Sequence, residues 1–433
     1  MWFIIEQNKR KTTFFLIILT LFFLFFGSAL GFCVSCEISD KSYFGTYIGL
    51  GISFICLLGI IIYTKFNASK FFLNQVGAVP IKKEDLPVLH NAVEEMSISA
   101  SLGFIPKIYI IDSNIPNAFS VGINEKNAAV AVTTGLLSSL NRDELQGVIA
   151  HEIAHIKNLD TLYLMYAGVV FGLIVCVSNA IIRGFIGGPR SRRYSSSRRS
   201  GDSAGAAILI ALILAIISPI LVKLLYLTVS RKREYLADAC ACQYTRYPSG
   251  LASALTKISN FSVSSDKNNE KYIEKNEKMH SGEVVSCMYI HNFLQKENAG
   301  FWDELFSTHP STKKRISVLK QMGACDFEEY NKVYRAVLSE KSLVNKNKLL
   351  KMNLSPIPIV APVASAASET AVSDKNTDEQ RINRQREAKD SFKKASNYKI
   401  INCDCNVKLK IPPELKISEI VCPNCNRVHK ILG

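Results

Sequence analysis

The first apolar stretch of the chain, residues 13–32, lacks the small-residue cleavage site that ends a signal peptide. It is also longer and more aromatic than such a peptide, which excludes a removable leader and predicts an uncleaved membrane anchor. Acidic residues are the minority charge, since 37 Asp and Glu stand against 52 Lys and Arg. Basic residues are not interleaved with aromatic ones, so we expect no nucleic-acid partner and favour anionic inner-leaflet lipid as the partner of the basic surface.

Four uncharged apolar stretches are each long enough to span a bilayer, at residues 13–32, 42–64, 161–182 and 203–222. Basic residues precede the first stretch, and Lys65 and Lys70 follow the second. The positive-inside rule therefore places the N-terminus and residues 65–160 in the cytoplasm. Six arginines between the third and fourth stretches do not fit this rule. We expect both stretches to cross because each has the required length, and the alternative is a hairpin that crosses only in part.

Residues 151–155 form an H-E-x-x-H motif. Positions i and i+4 share one face of a helix, so the imidazoles of His151 and His155 can reach a single metal ion. Glu152 follows the first histidine, where its carboxylate can accept a proton from a metal-bound water. A helix is predicted here because Asn141 and Glu144 form a capping pattern and apolar residues then recur at helical spacing. Two ordinary histidines on a helix would give the same motif, so the interpretation needs a third ligand.

The motif's own continuation does not supply that third ligand. A metzincin needs glycine at 158 and histidine at 161, but the chain has Asn158 and Thr161, which excludes that class. The common remaining solution is a glutamate from a second helix, for which Glu234 is the candidate. Asp238 lies one helical turn later, so one carboxylate can bind the metal while the other holds a ligand histidine. From spacing alone, a solvated charge cluster at a polar helix end remains the commoner explanation.

Three short segments before the motif have the composition of strands, at residues 107–112, 117–122 and 128–134. Turn-forming residues separate them, which predicts a small antiparallel sheet leading into the helix of the motif. An edge strand of such a sheet can pair with the backbone of an extended substrate. The alternative is that the sheet only supports the helix.

The C-terminal part of the chain differs in composition from the rest. Residues 346–396 are rich in proline, then in alanine and serine, then in charge, which predicts a disordered linker. Two close cysteine pairs follow, namely Cys403 with Cys405 and Cys422 with Cys425. This arrangement favours a structural zinc site over free or redox-active thiols, because so short a segment has too little core to fold alone.

In order and spacing, residues 1–325 resemble the HtpX-type membrane metallopeptidases, relatives of the CAAX prenyl endopeptidases. The resemblance rests on the motif at 151–155 with two apolar stretches on either side. It rests also on the segment Arg233–Asp238 and on the downstream Thr308-His309-Pro310. It implies a cytoplasm-facing zinc endopeptidase of the inner membrane, with several spans, that cleaves misfolded or damaged membrane proteins under envelope stress.

The resemblance also implies roles for individual residues. It implies zinc ligands at His151, His155 and Glu234, and a substrate-lining strand at Asn117, Ala118 and Phe119. We expect Glu152 to act as general base and acid, Asp238 to orient a ligand histidine, and His309 to stabilise the oxyanion.

These features together predict a mainly α integral membrane protein with four transmembrane helices and a gluzincin-type catalytic domain that contains a small antiparallel sheet. The expected parts are an N-terminal hairpin (1–65), a catalytic domain (66–345) with transmembrane segments 161–182 and 203–230, a disordered linker (346–396) and a zinc-ribbon-like module (397–433). Two other functions stay open at this point. One is a CAAX-type processing protease with a defined peptide substrate, and the other is a membrane scaffold with purely structural metal sites.

Overall fold

The described part of the chain is mainly helical, as the sequence predicts. The computed structural model describes residues 2–38, 42–122, 124–187, 202–263, 310–338, 374–396, 398–405, 407–411 and 419–430. The helices are α1 (Trp2–Ile38), α2 (Ser42–Phe66), α3 (Ala68–Gln75), α4 (Pro87–Ser99), α5 (Thr134–Ser139), α6 (Arg142–Lys157), α7 (Asp160–Gly187), α8 (Asp202–Thr245), α9 (Pro248–Val263), α10 (Thr312–Lys320), α11 (Phe327–Leu338) and α12 (Asp374–Ala395). The strands are β1 (Val79–Pro80), β2 (Lys107–Ile111), β3 (Ala118–Val121), β4 (Ala129–Thr133), β5 (Lys399–Asn402), β6 (Lys408–Ile411), β7 (Glu419–Val421) and β8 (Val428–Lys430).

Three of the described helices are long and apolar enough to cross a membrane. The candidate spans are Thr13–Cys33 in α1, Phe44–Phe66 in α2 and Asp160–Arg183 in α7. The first two pack closely at glycines, since a Cβ atom on Gly31 would lie only 2.1 Å from the carbonyl oxygen of Gly45. The fourth predicted stretch lies within α8, where the described apolar part, Leu209–Leu221, is shorter than a span. A fourth span therefore stays a prediction.

The main sheet is mixed, and the prediction of an antiparallel sheet is wrong. Its strand order is β1-β2-β4-β3, and β2 and β4 run parallel while the two outer pairs are antiparallel. The reason lies in the β3–β4 hairpin. The chain leaves β2 for the edge position, and the hairpin then returns β4 between β2 and β3. Among the strands of the described residues, β3 consequently lies at the edge of this sheet, next to β4.

The sheet separates two apolar cores, because successive side chains of a strand point to opposite faces. On one face, Val130 and Val132 of β4 pack in the core that includes Val148 of α6. On the other face, Ala129 and Ala131 pack with Phe72 of α3 and Met165 of α7. Every residue of β4 is buried. This two-sided packing fixes the sheet between the membrane helices and α6.

The predicted disorder of residues 346–396 is wrong for Asp374–Ala395, which form α12. The sequence of this helix is strongly charged, but Ala388 is only 1% exposed and packs in the main core together with Phe392 and Ala395. Lys394 also forms a 2.8 Å ion pair with Asp85, beyond β1. The tertiary contacts of a few residues therefore stabilise α12, although the composition of this segment does not predict a helix.

Two antiparallel hairpins follow α12, one formed by β5 and β6 and the other by β7 and β8. Cys403 and Cys405 follow β5, and Cys422 and Cys425 follow β7. Lys408 and Lys410 of β6 both pair with Asp390, which attaches the first hairpin to α12.

Candidate active site

Helix α6 begins with a capping box, as its sequence predicts. The Asn141 side chain accepts a 2.9 Å hydrogen bond from the backbone of Glu144, whose carboxylate accepts one of 2.8 Å from the backbone of Asn141. Glu144 also accepts hydrogen bonds from Ser253 and Lys257 of α9. These contacts fix the start of α6, and its second half carries the H-E-x-x-H motif deep in the protein.

Helix α8 brings Glu234 to the two histidines of α6. The Nε2 atoms of His151 and His155 lie 3.1 Å apart. One carboxylate oxygen of Glu234 lies 3.5 Å from the first of these atoms, and the other lies 3.5 Å from the second. Two ligands at zinc-binding distance and a tetrahedral angle lie roughly 3.3 Å apart. The three side chains can therefore hold a single metal ion.

A carboxylate lies behind each histidine. Asp238 Oδ1 is 3.0 Å from Nδ1 of His151, and Asp160 Oδ2 is 3.1 Å from Nδ1 of His155. Each contact engages Nδ1 and leaves Nε2 directed toward Glu234, which is the arrangement that orients metal-binding histidines. Asp238 occupies the place that the sequence predicts for it. Asp160 was not predicted, although an acid five residues after the motif was an available signal.

Two pKa values follow from this arrangement. Burial acts to lower the pKa of His151, but hydrogen bonds to Asp238 and Glu234 raise it to about 9. Burial acts to raise the pKa of Asp238, but the charge of Arg315 and the contact with His151 hold it below its ordinary value. Without metal the site therefore favours an imidazolium between carboxylates, and this is also an environment that attracts a cation.

Two buried arginines complete the charge network, and sequence reasoning missed both roles. Arg315 of α10 lies 3.2 Å from Glu234 and 2.7 Å from Asp238, with only 1% of its side chain exposed. Arg233 lies 2.9 Å from Asp160 and stacks over the ring of Tyr163. Each carboxylate in the group thus faces a cationic or imidazole partner, as buried charges require. The Arg315 contacts join segments far apart in sequence, so no local pattern indicates them.

Glu152 is buried beside β3, where the Ser120 hydroxyl donates a 2.8 Å hydrogen bond to its Oε2. Strand alternation places Ala118 and Ser120 on the face toward α6, whereas Phe119 packs with Met165 on the opposite face. The Phe119 side chain therefore points away from α6, and this residue presents its backbone to the α6 side. The Asn117 side chain accepts a 3.0 Å hydrogen bond from the backbone of Ala118 at the start of β3. His309 lies outside the described residues.

The four C-terminal cysteines converge at a separate point. The Sγ atoms of Cys403 and Cys425 lie 3.4 Å apart, and those of Cys405 and Cys422 lie 3.5 Å apart. A disulfide needs about 2.05 Å, whereas sulfurs around one tetrahedral zinc lie roughly 3.8 Å apart. Hydrogen bonds from the backbone of Val407 and other nearby groups lower the pKa of Cys405 to about 6. The four thiols can therefore hold a metal ion.

Comparison with known proteins agrees with this geometry. The model of Peptidase family M48 matches residues 84–323. The Protease HtpX homolog of Dictyoglomus turgidum is 40% identical over 319 residues, which cover 74% of this chain and 94% of that protein. The Protease HtpX homolog of Thermoanaerobacter pseudethanolicus is 37% identical over 323 residues, covering 73% and 96%.

Among solved structures, that of Ste24p from S. mikatae matches 67% of this chain and 61% of that chain, with 18% identity and a TM-score of 0.36. This likeness is too slight to bear on the fold. The family match and the protease relatives carry the assignment by themselves. The chain therefore belongs to peptidase family M48 and is a membrane metallopeptidase.

Proposed function

We propose that this metallopeptidase holds a catalytic zinc ion between His151, His155 and Glu234 and cleaves misfolded or damaged membrane proteins. The observation that carries the proposal is the convergence of these three side chains with a carboxylate behind each histidine. When bound there, zinc supplies a Lewis acid that polarises the scissile carbonyl and lowers the pKa of a water.

The residues of the chain have distinct tasks in the proposed reaction. Glu152 accepts a proton from the attacking water and delivers it to the leaving amine. The Ser120 hydroxyl engages one oxygen of that carboxylate and so fixes its orientation. Asp238 and Asp160 hold the ligand histidines in the tautomer that presents Nε2 to the metal. His309 is assigned the stabilisation of the oxyanion from the sequence alone.

The position of β3 beside the proposed general base supports the proposed substrate class, because Ser120 of this strand contacts Glu152. The family resemblance implies that Asn117, Ala118 and Phe119 line the substrate, and backbone contacts of a strand do not depend on the substrate's side chains. Sequence-independent binding suits a protease that meets many unfolded segments. A CAAX-type processing protease needs a defined peptide instead, and a scaffold with a structural metal needs no buried general base such as Glu152.

Three finer parts of the proposal concern the rest of the molecule. We infer that α8 provides a fourth membrane span and that the active site faces the cytoplasm from the inner membrane, because Lys65 and Lys70 follow the second span. We infer also that Cys403, Cys405, Cys422 and Cys425 hold a structural zinc ion in a zinc-ribbon-like module.

The Glu152→Gln variant tests the chemistry. The purified full chain in detergent should retain its zinc, because Glu152 is not a ligand, while cleavage of casein falls by about 10²–10⁴-fold. Zinc content by mass spectrometry and product formation with and without a chelator are the measurements. Glu328→Gln, the same change at an exposed position of α11, is the matched control and should keep full activity. Cleavage by Glu152→Gln at the wild-type rate would remove that residue from its role.

A pair of substrates tests specificity. A destabilised membrane protein should be cut at several sites, whereas its stable parent should resist because its backbone is already paired. A single cut, confined to the C-terminus of a prenylated CAAX peptide, would favour the processing protease. Absence of cleavage of every substrate by the zinc-loaded wild-type chain would favour the scaffold.

A further inference from the structure

A cavity of about 610 Å³ lies at the end of the second candidate span, on the face of the sheet that packs against α3. Its walls come from the last residues of α2, from α3, from β2 and from the turn that precedes β4. No residue of the proposed metal site lines it. The cavity is therefore a second candidate site, separate from the peptidase centre.

The lining of this cavity is strongly basic. Lys65, Lys70, Lys107 and Lys126 line it, and the one carboxylate among the lining residues is Glu125. Within the part of the chain that the structure describes, none of the four ammonium groups forms an ion pair. Four like charges around one concavity repel each other, and an anionic ligand relieves this repulsion.

The walls are held in place before any ligand binds. The Asn127 side chain donates a 3.1 Å hydrogen bond to the carbonyl of Lys65, which joins the turn to the end of α2. Lys107 Nζ donates a 3.0 Å hydrogen bond to the backbone carbonyl of Lys126, which joins β2 to the same turn. Asn124 accepts backbone hydrogen bonds from within the same turn. The backbone segments that carry Lys65, Lys107 and Lys126 are thus held together by hydrogen bonds.

The position of the cavity points to a lipid. The candidate span Phe44–Phe66 ends at its rim, so the lysines lie at the level where a bilayer presents its headgroups. Phe66 and Phe71 are 63% and 41% exposed beside the cavity, and the ring of Phe71 contacts that of Tyr63. Aromatic side chains of this kind concentrate at membrane interfaces and can contact acyl chains.

An acidic peptide fits the same place less well. The strand β2, which supplies Lys107 and Tyr109 to the cavity, is paired on one side with β1 and on the other with β4. It therefore has no free edge for an extended peptide. We propose that the cavity binds the headgroup phosphate of an anionic phospholipid, with Lys65, Lys70, Lys107 and Lys126 as its cationic contacts.

The test measures lipid binding to the full chain in a neutral detergent by native mass spectrometry. Phosphatidylglycerol should bind at least roughly tenfold more tightly than phosphatidylcholine. The Lys70→Gln/Lys107→Gln variant should weaken phosphatidylglycerol binding by roughly 30-fold, because each lysine near an anionic lipid contributes about fivefold. Lys320→Gln/Lys332→Gln on α10 and α11 is the matched control and should leave binding unchanged.

A variant that is expected to tighten lipid binding serves as a control for misfolding, because a misfolded protein would bind the lipid more weakly. Glu125→Gln removes the acid of the lining and should tighten phosphatidylglycerol binding by roughly fivefold. Equal affinity for the two lipids, or insensitivity to both substitutions, would overturn the proposal. Displacement of the lipid by millimolar inorganic phosphate would identify free phosphate as the ligand, and displacement by an acidic peptide would identify a protein partner. Either result would also overturn it.

Discussion

At the scale of single residues, each histidine of the candidate metal site contacts a carboxylate through its Nδ1 atom. Asp238 and Asp160 come from different helices, yet each engages one imidazole at about the same distance, 3.0 and 3.1 Å. Both carboxylates are in turn neutralised by a buried arginine. Four charged side chains outside the proposed ligand set therefore surround the three candidate ligands.

Asp160→Asn should weaken zinc binding by roughly 10- to 100-fold. The amide oxygen of asparagine carries no full negative charge, so it accepts a weaker hydrogen bond from Nδ1 of His155 than the carboxylate does. Zinc affinity of the purified full chain, measured by chelator competition, provides the readout. Asp112→Asn, at an exposed position just after β2, is the control and should bind zinc normally. Unchanged affinity in Asp160→Asn would mean that Asp160 only balances the charge of Arg233.

Zinc affinity at the catalytic site should increase with pH up to about 9. Burial opposes the charged form of His151, yet its contacts with Asp238 and Glu234 raise its metal-free pKa to about 9. Below that pH the ring carries a proton that zinc must displace, so affinity should fall by roughly tenfold for each lower pH unit. Competition titrations between pH 6 and 8.5, corrected for protonation of the chelator, measure this slope. A flat profile would contradict the protonated state.

Spacing rules in the sequence predict candidates for part of this site. His151, His155 and Glu152 belong to one motif, and Glu234 with Asp238 share a helix face one turn apart. Only the family resemblance indicated that Glu234 lies next to the two histidines, because spacing within α8 does not show which helix this residue faces. Arg315 could not be found in this way, since its partner Asp238 is 77 residues away along the chain.

At the scale of elements, the β3–β4 hairpin connects the sheet to the active site. It supplies the edge strand beside α6, and its turn also supplies Lys126 to the basic cavity. The positions of β2, β3 and β4 were predicted correctly from composition. The parallel direction of β2 relative to β4 was not predicted. Strand composition carries no information on which strands are neighbours, and here the hairpin inserts β4 between two strands that are consecutive in sequence.

Gly122→Ala should destabilise this hairpin and lower protease activity. Gly122 has a φ of +85°, and a Cβ atom there would lie 2.1 Å from the carbonyl oxygen of Asn127. A non-glycine residue in such a conformation costs about 1–3 kcal/mol before the clash is counted. The thermal midpoint and the rate of casein cleavage should both fall. Gly172→Ala, in a helical position with no atom within 4 Å of the added Cβ, should leave both unchanged and serves as the control.

At the scale of the whole molecule, α12 attaches the C-terminal hairpins to the catalytic part of the chain. Its Arg384 donates to the carbonyl of Leu140, just before the start of α6, and its Ser391 donates to the carbonyl of Asp85. The sequence predicted disorder here because charged residues dominate, and a few buried contacts outweigh that composition. The long-range contacts that decide the outcome are not visible in a local window.

Zinc content should separate the two metal sites. The wild-type chain should hold about two zinc ions, and Cys422→Ala/Cys425→Ala should hold about one while still cleaving casein. The reason is that the cysteine cluster shares no ligand with the site at His151. Elemental analysis after dialysis gives the count, and Cys56→Ala/Cys176→Ala, with exposed thiols in two spans, is the control. An unchanged zinc content in the first variant would contradict the structural site.

One continuous helix, α8, contains both the apolar segment Leu209–Leu221 and the third proposed ligand, Glu234. The predicted transmembrane segment 203–230 lies in the same helix and ends four residues before Glu234. At 1.5 Å per residue, this separation is about 6 Å along the axis. With that segment in the bilayer, the carboxylate is held close to the membrane surface. A protein embedded in the same bilayer then needs only a few residues of extended chain beyond its own span to bring a peptide bond within reach.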